Sequence, residues 1–297
     1  MNAVLVVDKP QGMTSHDVVN RVRRILGERS VGHLGTLDPM ATGVLPLVVG
    51  KLTRLAQFYT HSEKEYEGTI RFGFATDTYD ADGMPATAIY DRLPSLEQVR
   101  EAAARFRGVI QQVPPPFSAK KISGVPAYKL ARKQREVELQ PVEVEIKEFE
   151  ILGLEGECAS FRARVSSGTY MRSIAHEIGK VLGCGAHLAS LRRTRVAEFC
   201  VTDACTLEQL EAAKADAAEA QTKGDDIFVH LRRVLPAFPS VTANDQIAAM
   251  IRAGRAVNLP EMSRAPKVKV FYGQNQLLCI ADRVAGTLFH PKVVLAG

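Results

Sequence analysis

The most informative stretch of this 297-residue chain is Gly32-His33-Leu34-Gly35-Thr36-Leu37-Asp38-Pro39-Met40-Ala41-Thr42-Gly43-Val44-Leu45. It continues into an apolar run, residues 44–49, which predicts a buried strand. Pro39 disfavours helical dihedral angles at Asp38, so we predict that the Asp38 carboxylate lies on a tight loop at a strand end. An Asp-Pro pair is also a common turn former, so the residues alone leave a purely structural role open.

The composition excludes several classes of protein. Hydrophobic residues make up 46% of the chain and charged residues 24%, which is typical of globular proteins and not of disordered ones. No apolar run approaches the ~20 residues of a membrane helix, and the N-terminus lacks the features of a signal peptide. The five cysteines form no C-x-x-C pair, so neither a disulfide framework nor a zinc site is indicated. We therefore expect a cytoplasmic protein without a membrane span.

The net charge of +5 is mild, but its distribution is uneven. Residues 117–135 carry six basic side chains and no acidic one, and residues 161–195 carry seven basic side chains and one acidic one. The intervening residues 136–157 contain eight glutamates and one lysine. Such segregation is expected of a protein with one polyanion-binding face, although solvated helix faces would give the same pattern.

The hydrophobic pattern elsewhere predicts long strands and isolated helices, which favours an α+β fold over a regular βαβ array. The predicted strands are 4–7, 44–49, 66–75, 142–154 and 158–165. The predicted helices run from Thr14 or Ser15 to about Gly27, from Ser95 to about Phe106, over 171–182 and from Thr206 to about Thr222. In the helix over 171–182, Val181 is expected on the apolar side. The segment Val113-Pro114-Pro115-Pro116-Phe117 is expected to be an exposed loop or insertion, because proline is disfavoured in helices and central strands.

Pro236 and Pro239 mark the most plausible linker. We therefore predict two domains, residues 1–238 with a basic insertion at about 113–135, and residues 239–297. In the second domain the pattern predicts a short helix near 245–253 and strands near 267–272, 277–282 and 292–295.

Further motifs occur in a fixed order along the chain. They are Asp8-Lys9-Pro10 with Gly12 and Ser15, Lys64-Glu65-Tyr66, the acidic loop 76–83, Gln112 to Lys121, Ser167-Gly168-Thr169-Tyr170-Met171-Arg172-Ser173, and Leu188-Ala189-Ser190-Leu191-Arg192-Arg193. Together with the stretch around Asp38, this ordered set resembles the TruB family of tRNA pseudouridine synthases from residue 8 to about residue 195. The resemblance implies a pseudouridine synthase fold with a mixed, largely antiparallel central sheet. The tail after Pro239 resembles a small PUA-like β-barrel, with a tail of another fold as the alternative.

The resemblance also implies an activity, the conversion of the T-loop uridine of tRNA, conventionally U55, to pseudouridine without a metal or cofactor. Asp38 would be the nucleophile, Tyr66 would stack on the base and take part in proton transfer, and Arg172 would pair with Asp38. Tyr170 would line the pocket, Leu191 would pack against the base, and His33 would occupy the place that the flipped nucleotide leaves. No carboxylate partner of Asp38 is obvious in the sequence, and loop 76–83 is expected to be structural.

The implied partner is the T arm of tRNA. A base inside a folded loop must be flipped out, at a cost that contacts to the RNA backbone have to offset. We expect the two basic segments to supply these contacts, with Lys120, Lys121 and Arg132 in the first. The resemblance implies no protein partner, and a monomer is expected.

Two other classes of protein were weighed against this interpretation. An inactive RNA-binding protein on the same scaffold is disfavoured by the joint presence of Asp38, Tyr66 and Arg172. A magnesium-dependent nuclease or phosphotransferase would need clustered carboxylates and a phosphate-binding loop, and neither G-x-x-x-x-G-K-[ST] nor G-x-G-x-x-G occurs.

Overall fold

The computed structural model describes residues 1–118, 121–122, 125–126, 139–220 and 227–296. Most strands belong to one ten-stranded sheet. They are β1 (Ala3–Lys9), β2 (Val31–His33), β3 (Thr42–Val49), β4 (Lys64–Phe72), β5 (Gly108–Gln112), β8 (Val142–Glu155), β9 (Cys158–Val165), β10 (Ala186–Val196), β11 (Phe199–Cys200) and β12 (Ala204–Cys205). A separate hairpin is formed by β6 (Lys121–Ile122) and β7 (Val125–Pro126).

The order of the large sheet is β12-β1-β3-β10-β4-β9-β8-β5, with β2 paired to β3 and β11 to β10. Only the pairs β1–β12 and β10–β3 are parallel, so the prediction of a mixed, largely antiparallel sheet is confirmed. Strands β3, β10 and β4 lie side by side at the centre, and this brings the residues around Asp38, Leu191 and Tyr66 to one region.

The helices are α1 (Ser15–Leu26), α2 (Leu96–Ala104), α3 (Met171–Leu182) and α4 (Leu207–Ala220), and a 3₁₀ helix spans Gly50–Tyr59. Thr14, Ser95 and Thr206 cap α1, α2 and α4 as their sequences predict, each accepting a hydrogen bond from the backbone three residues later. Thr222, where α4 was expected to end, lies outside the described residues. One face of the sheet packs on α2 and α3, and another apolar cluster joins α1 and α4 to β1 and β3.

Several details differ from the sequence-based expectations. Val181 is 45% exposed and not on the buried side of α3. The strand expected at 66–75 is β4, shifted to Lys64–Phe72. Pro114 and Pro115 are buried and do not form an exposed loop, because the segment packs against the start of α3, where the Ser173 hydroxyl donates to the Val113 carbonyl at 2.8 Å.

The C-terminal region forms its own five-stranded sheet, in the order β13-β15-β16-β17-β14. Its elements are β13 (Ser240–Ala243), α5 (Asp245–Arg252), β14 (Val257–Asn258), β15 (Lys267–Tyr272), β16 (Gln276–Ala285) and β17 (Leu288–Val294). This separate sheet, with its own apolar core, is consistent with the expected PUA-like domain. Within the described residues, no helix is both long and apolar enough to cross a membrane.

Candidate active site

The loop that carries Asp38 is held by the N-terminal segment. The Ser15 hydroxyl accepts a hydrogen bond from the Leu37 amide at 2.8 Å and donates to the Leu37 carbonyl at 3.0 Å. On the other side of Asp38, the Gly12 amide donates to the Pro39 carbonyl at 2.8 Å. The motif around residues 8–15 therefore acts by fixing the backbone on both sides of Asp38.

Lys9 adds further hydrogen bonds between the N-terminal segment and the loop that carries Asp38. Its side chain is fully buried, and its ammonium donates to the carbonyls of Pro10 at 2.7 Å, Met13 at 2.6 Å and Pro39 at 3.2 Å. Burial lowers the pKa of Lys9 to about 8, and the nearby Asp38 charge opposes this effect. The lysine thus joins the turn that follows β1 to the loop that carries Asp38.

Arg193 supports the other side of the same loop. Its buried guanidinium donates to the carbonyls of Gly35, Thr36 and Val44 at distances of 3.0, 3.1 and 2.8 Å. The backbones of β3 and β10 approach closely here, because a Cβ atom on Gly43 would lie 2.2 Å from the Arg193 carbonyl oxygen. Arg193 belongs to a segment expected to contact RNA, but its side chain lies inside the protein.

The Asp38 carboxylate faces the buried side chain of Arg172, with 2.9 Å between Oδ2 and Nε. The contact is an ion pair without the alignment of a hydrogen bond. Arg172 also lies 3.3 Å from the Asp80 carboxylate and donates to the carbonyls of Thr78 and Phe117. The expected pairing of Asp38 with Arg172 is thus present in the structure, and Asp80 is a second carboxylate that the sequence analysis did not identify.

Asp80 changes the interpretation of loop 76–83. Its side chain is only 7% exposed, and Oδ1 accepts hydrogen bonds from the Thr78 hydroxyl and the Asp82 amide. The loop therefore holds a buried carboxylate against Arg172, beyond the structural role expected for it. The only sequence signal for this role is the loop's five carboxylate or hydroxyl side chains around Tyr79, and these do not reveal the distant arginine.

The environment raises the pKa of Asp38 above its usual range. Burial is the main cause, and the negative charge of Asp80 adds to it, while Arg172 and Lys9 oppose it. The carboxylate is 36% exposed, so it is enclosed by protein yet open to the adjoining cavity. A partly desolvated carboxylate in this position can act as a nucleophile or accept a proton.

The cavity beside Asp38 has a volume of about 260 Å³. Besides Asp38 and Arg172 it is lined by the predicted site residues Tyr66, Tyr170 and Leu191, and by Lys64. Burial raises the pKa of both tyrosines, and Arg193 opposes this effect at Tyr66. Both phenols therefore remain protonated at neutral pH. The cavity combines an apolar wall with groups that can donate or accept protons.

His33 is not among the residues that line this cavity. It ends β2, where its Nδ1 atom accepts a hydrogen bond from the Gly35 amide at 3.3 Å. Burial lowers the pKa of His33, and the Arg193 charge adds to the effect, so the ring is neutral at pH 7.

The seven cations of the basic segment 161–195 fall into two groups. Arg172 and Arg193 are buried as described above, and the other five are more exposed and lie in ion pairs with carboxylates. The pairs are Arg162–Glu150, Arg164–Glu148, Lys180–Glu177, Arg192–Asp8 and Arg195–Glu65. The segregation of charge along the sequence is thus largely neutralised in space. The side chains of Lys120, Lys121 and Arg132 lie outside the part of the chain that the structure describes.

No group of three or more His, Cys, Asp or Glu side chains is placed to hold a metal ion among the described residues. The ionisable side chains that the structure places at the site are those of Asp38, Asp80, Arg172, Tyr66, Tyr170 and Lys64.

Two known family models together match most of the chain. Residues 23–171 match the family model of the TruB family pseudouridylate synthase N-terminal domain, and residues 172–238 match that of the tRNA pseudouridylate synthase B C-terminal domain. The chain belongs to the TruB family of pseudouridine synthases. It is 49% identical to tRNA pseudouridine synthase B of Solibacter usitatus, over 99% of this chain and 100% of that protein. Its identity to the Aquifex aeolicus protein of the same name is 40%, over 99% and 100% of the two chains.

Solved structures show the fold of this TruB family member. An H/ACA ribonucleoprotein bound to a substrate RNA containing 2′-deoxyuridine includes a chain that matches with a TM-score of 0.74 at 24% identity. A Cbf5-Nop10-Gar1 complex gives a TM-score of 0.74 at 25% identity. Each match covers 99% of this chain and 85% of the other.

Proposed function

We propose that this protein is a tRNA pseudouridine synthase, an isomerase that converts the T-loop uridine of tRNA, conventionally U55, to pseudouridine. The observation that carries the proposal is the Asp38–Arg172 ion pair at the edge of a cavity lined by Tyr66, Tyr170 and Leu191. Full-length similarity to proteins named tRNA pseudouridine synthase B supports tRNA as the substrate.

The reaction requires a group that acts at C1′ of the ribose. The C1′–N1 bond breaks, the uracil turns, and a C1′–C5 bond forms. The proton on C5 is then lost and N1 gains one, so no atom is added or removed overall. Asp38 is the nucleophile or stabilises positive charge at C1′. One carboxylate open to the cavity suits this chemistry, whereas a hydrolase would use a second carboxylate to activate water.

We infer the roles of the remaining site residues from the family resemblance together with their positions. Arg172 keeps Asp38 ionised and oriented, since its guanidinium opposes the effect of burial on the carboxylate. Tyr66 stacks on the uracil and takes part in proton transfer, while Tyr170 and Leu191 enclose the base. His33, just outside the cavity, occupies the place in the RNA from which the uridine is flipped.

We also propose how the rest of the chain serves RNA binding. Lys120, Lys121 and Arg132 of the basic insertion contact the RNA backbone, and residues 239–297 form a PUA-like RNA-binding domain after a catalytic domain of residues 1–238. The partner is the T arm of tRNA, and the protein acts in the cytoplasm as a monomer without a protein partner, metal or cofactor.

The proposal is tested with an unmodified tRNA transcript, incubated with the protein in the presence of EDTA. Pseudouridine is then mapped at single-nucleotide resolution. We expect modification at the T-loop uridine by the wild type, and a loss of at least about a thousandfold in single-turnover rate for Asp38→Asn. Asp77→Asn, in a nearby loop but not in contact with Arg172, is the matched control. An inactive wild type, or an Asp38→Asn variant with normal activity, rejects the proposal.

A further inference from the structure

Lys64 is a cation in the cavity that the mechanism above does not use. It lines the same cavity as Asp38, Tyr66 and Arg172. Among the described residues its one side-chain hydrogen bond is to the Ser62 carbonyl, at 2.9 Å. Because an ammonium group has three donors, two of them are available to a bound molecule.

The position of Lys64 relative to Tyr66 follows from strand geometry. Both residues belong to β4 and are two positions apart, so their side chains leave the same face of the sheet. Their Cα atoms are separated by about 6.6 Å along the strand. If the uracil lies against Tyr66, the long and flexible Lys64 side chain can therefore reach the sugar-phosphate backbone attached to that base.

Among the described residues, the ion pair of Asp38 is with Arg172, and no ion pair joins Asp38 to Lys64. Lys64 is half-buried, and both burial and the Arg193 charge lower its pKa to about 8. No carboxylate in the described part of the chain pairs with it. A partly desolvated ammonium without a counter-charge is stabilised by binding an anion.

We propose that Lys64 binds a phosphodiester group attached to the target uridine, and thereby positions the ribose against Asp38. This inference rests on the proposed function, because it takes the cavity to be the site of the flipped nucleotide. The phosphodiester is the only part of an RNA nucleotide that carries a negative charge, and lysine is a common ligand of phosphate. Lys64 is thus a substrate-positioning residue and does not take part in bond cleavage.

The test combines protein variants with RNAs that lack one backbone charge. A T-arm RNA is made with an uncharged methylphosphonate linkage on either the 5′ or the 3′ side of the target uridine. Wild type, Lys64→Met and Lys64→Arg are compared for the dissociation constant and for the single-turnover rate at saturating RNA. The matched control is Lys214→Met, which removes an exposed lysine of α4 far along the chain from the cavity.

We expect Lys64→Met to bind the ordinary RNA about tenfold more weakly, as for loss of one charge-assisted hydrogen bond. One of the two neutral linkages should weaken RNA binding by the wild type by a similar factor. The same linkage should not weaken RNA binding by Lys64→Met any further. Lys64→Arg should recover most of the affinity, and Lys214→Met should behave as wild type. The thermal midpoint of each variant separates lost binding from lost folding.

Two results overturn the inference. The first is unchanged RNA binding by Lys64→Met. The second is a loss of affinity from each neutral linkage that is as large for Lys64→Met as for the wild type. Either can occur while the wild type still forms pseudouridine, and then only the phosphate contact is rejected. A different outcome is that one neutral linkage weakens binding by the wild type but not by Lys64→Met, while the wild type forms no pseudouridine. That result rejects the proposed activity and retains the phosphate contact.

Discussion

At the scale of single residues, Asp80 acts on the ionisation of Asp38 from the far side of a shared arginine. The two carboxylates share Arg172, and the charge of Asp80 contributes to raising the pKa of Asp38. In Asp80→Asn this negative charge is absent, so the pKa of Asp38 falls. Because the carboxylate must be ionised to react, we expect the acidic limb of the kcat/KM profile to move to lower pH.

The same substitution leaves Arg172 with one carboxylate in place of two, so we expect kcat to fall by about tenfold. Asp77→Asn is a suitable control, because Asp77 accepts a hydrogen bond from the Met84 amide within the same loop and does not contact Arg172. An acidic limb that stays in place, or that moves to higher pH, would contradict this account of the Asp38 pKa.

The residues of the site differ in how far the sequence predicts them. Asp38, Tyr66, Arg172, Tyr170 and Leu191 were expected together from the resemblance, and the structure places all five at one cavity. The role of Asp80 was missed because its partner Arg172 is distant in sequence and the contact forms only when loop 76–83 packs against α3. Contacts of this kind have no local sequence signal.

At the level of secondary structure, the close approach of β3 and β10 explains Gly43. Its φ of +100° disfavours other residues, and an added Cβ would meet the Arg193 carbonyl oxygen at 2.2 Å. We expect Gly43→Ala to lower the free energy of unfolding by about 3 kcal/mol, because both backbone strain and a steric clash oppose it. Urea unfolding measures the change, and kcat is expected to fall with it because Gly43 lies in β3 directly after the loop that carries Asp38.

Gly27→Ala measures the effect of backbone strain without a steric clash. Gly27 ends α1 with a φ of +65°, but nothing lies within 4 Å of the added Cβ. Only the strain remains, so the expected loss is about 1 kcal/mol. Equal losses for the two variants would show that the contact between β3 and β10 does not constrain Gly43.

The sequence predicts some helices and strands correctly and misses others. The starts of α1, α2 and α4 were correct because capping residues act within one turn of the chain. Strand β10 was not predicted, although it lies at the centre of the sheet. Its pairing with β4 contains two irregularities, and it carries three arginines, so it lacks the alternation that identifies a strand. The burial of Arg193 depends on hydrogen bonds to backbone carbonyls that lie 149 to 158 positions earlier in the chain.

For the molecule as a whole, the two sheets are joined through a common apolar cluster. The cluster contains Val4, Val44 and Leu55 of the N-terminal part and Phe271 and Ile280 of the C-terminal sheet. Arg54 also donates to the Val294 carbonyl at 2.6 Å across this contact. The C-terminal sheet is therefore held against the sheet that carries the site, even though it has a core of its own.

Lys269 links the two parts at a buried point. Its side chain is 1% exposed, and its ammonium donates to the carbonyls of Arg232 and Val234 at 2.9 and 2.7 Å. In Lys269→Met both carbonyls lose their partner, at a cost of about 1–3 kcal/mol each. Because the sheets share an apolar cluster, we expect the melting temperature to fall by several degrees while unfolding remains one transition.

Lys292→Met, at an exposed position of β17, is the control and should melt as wild type. Two separate transitions, only one of them shifted by Lys269→Met, would show that the sheets unfold independently and that the common cluster does not couple them.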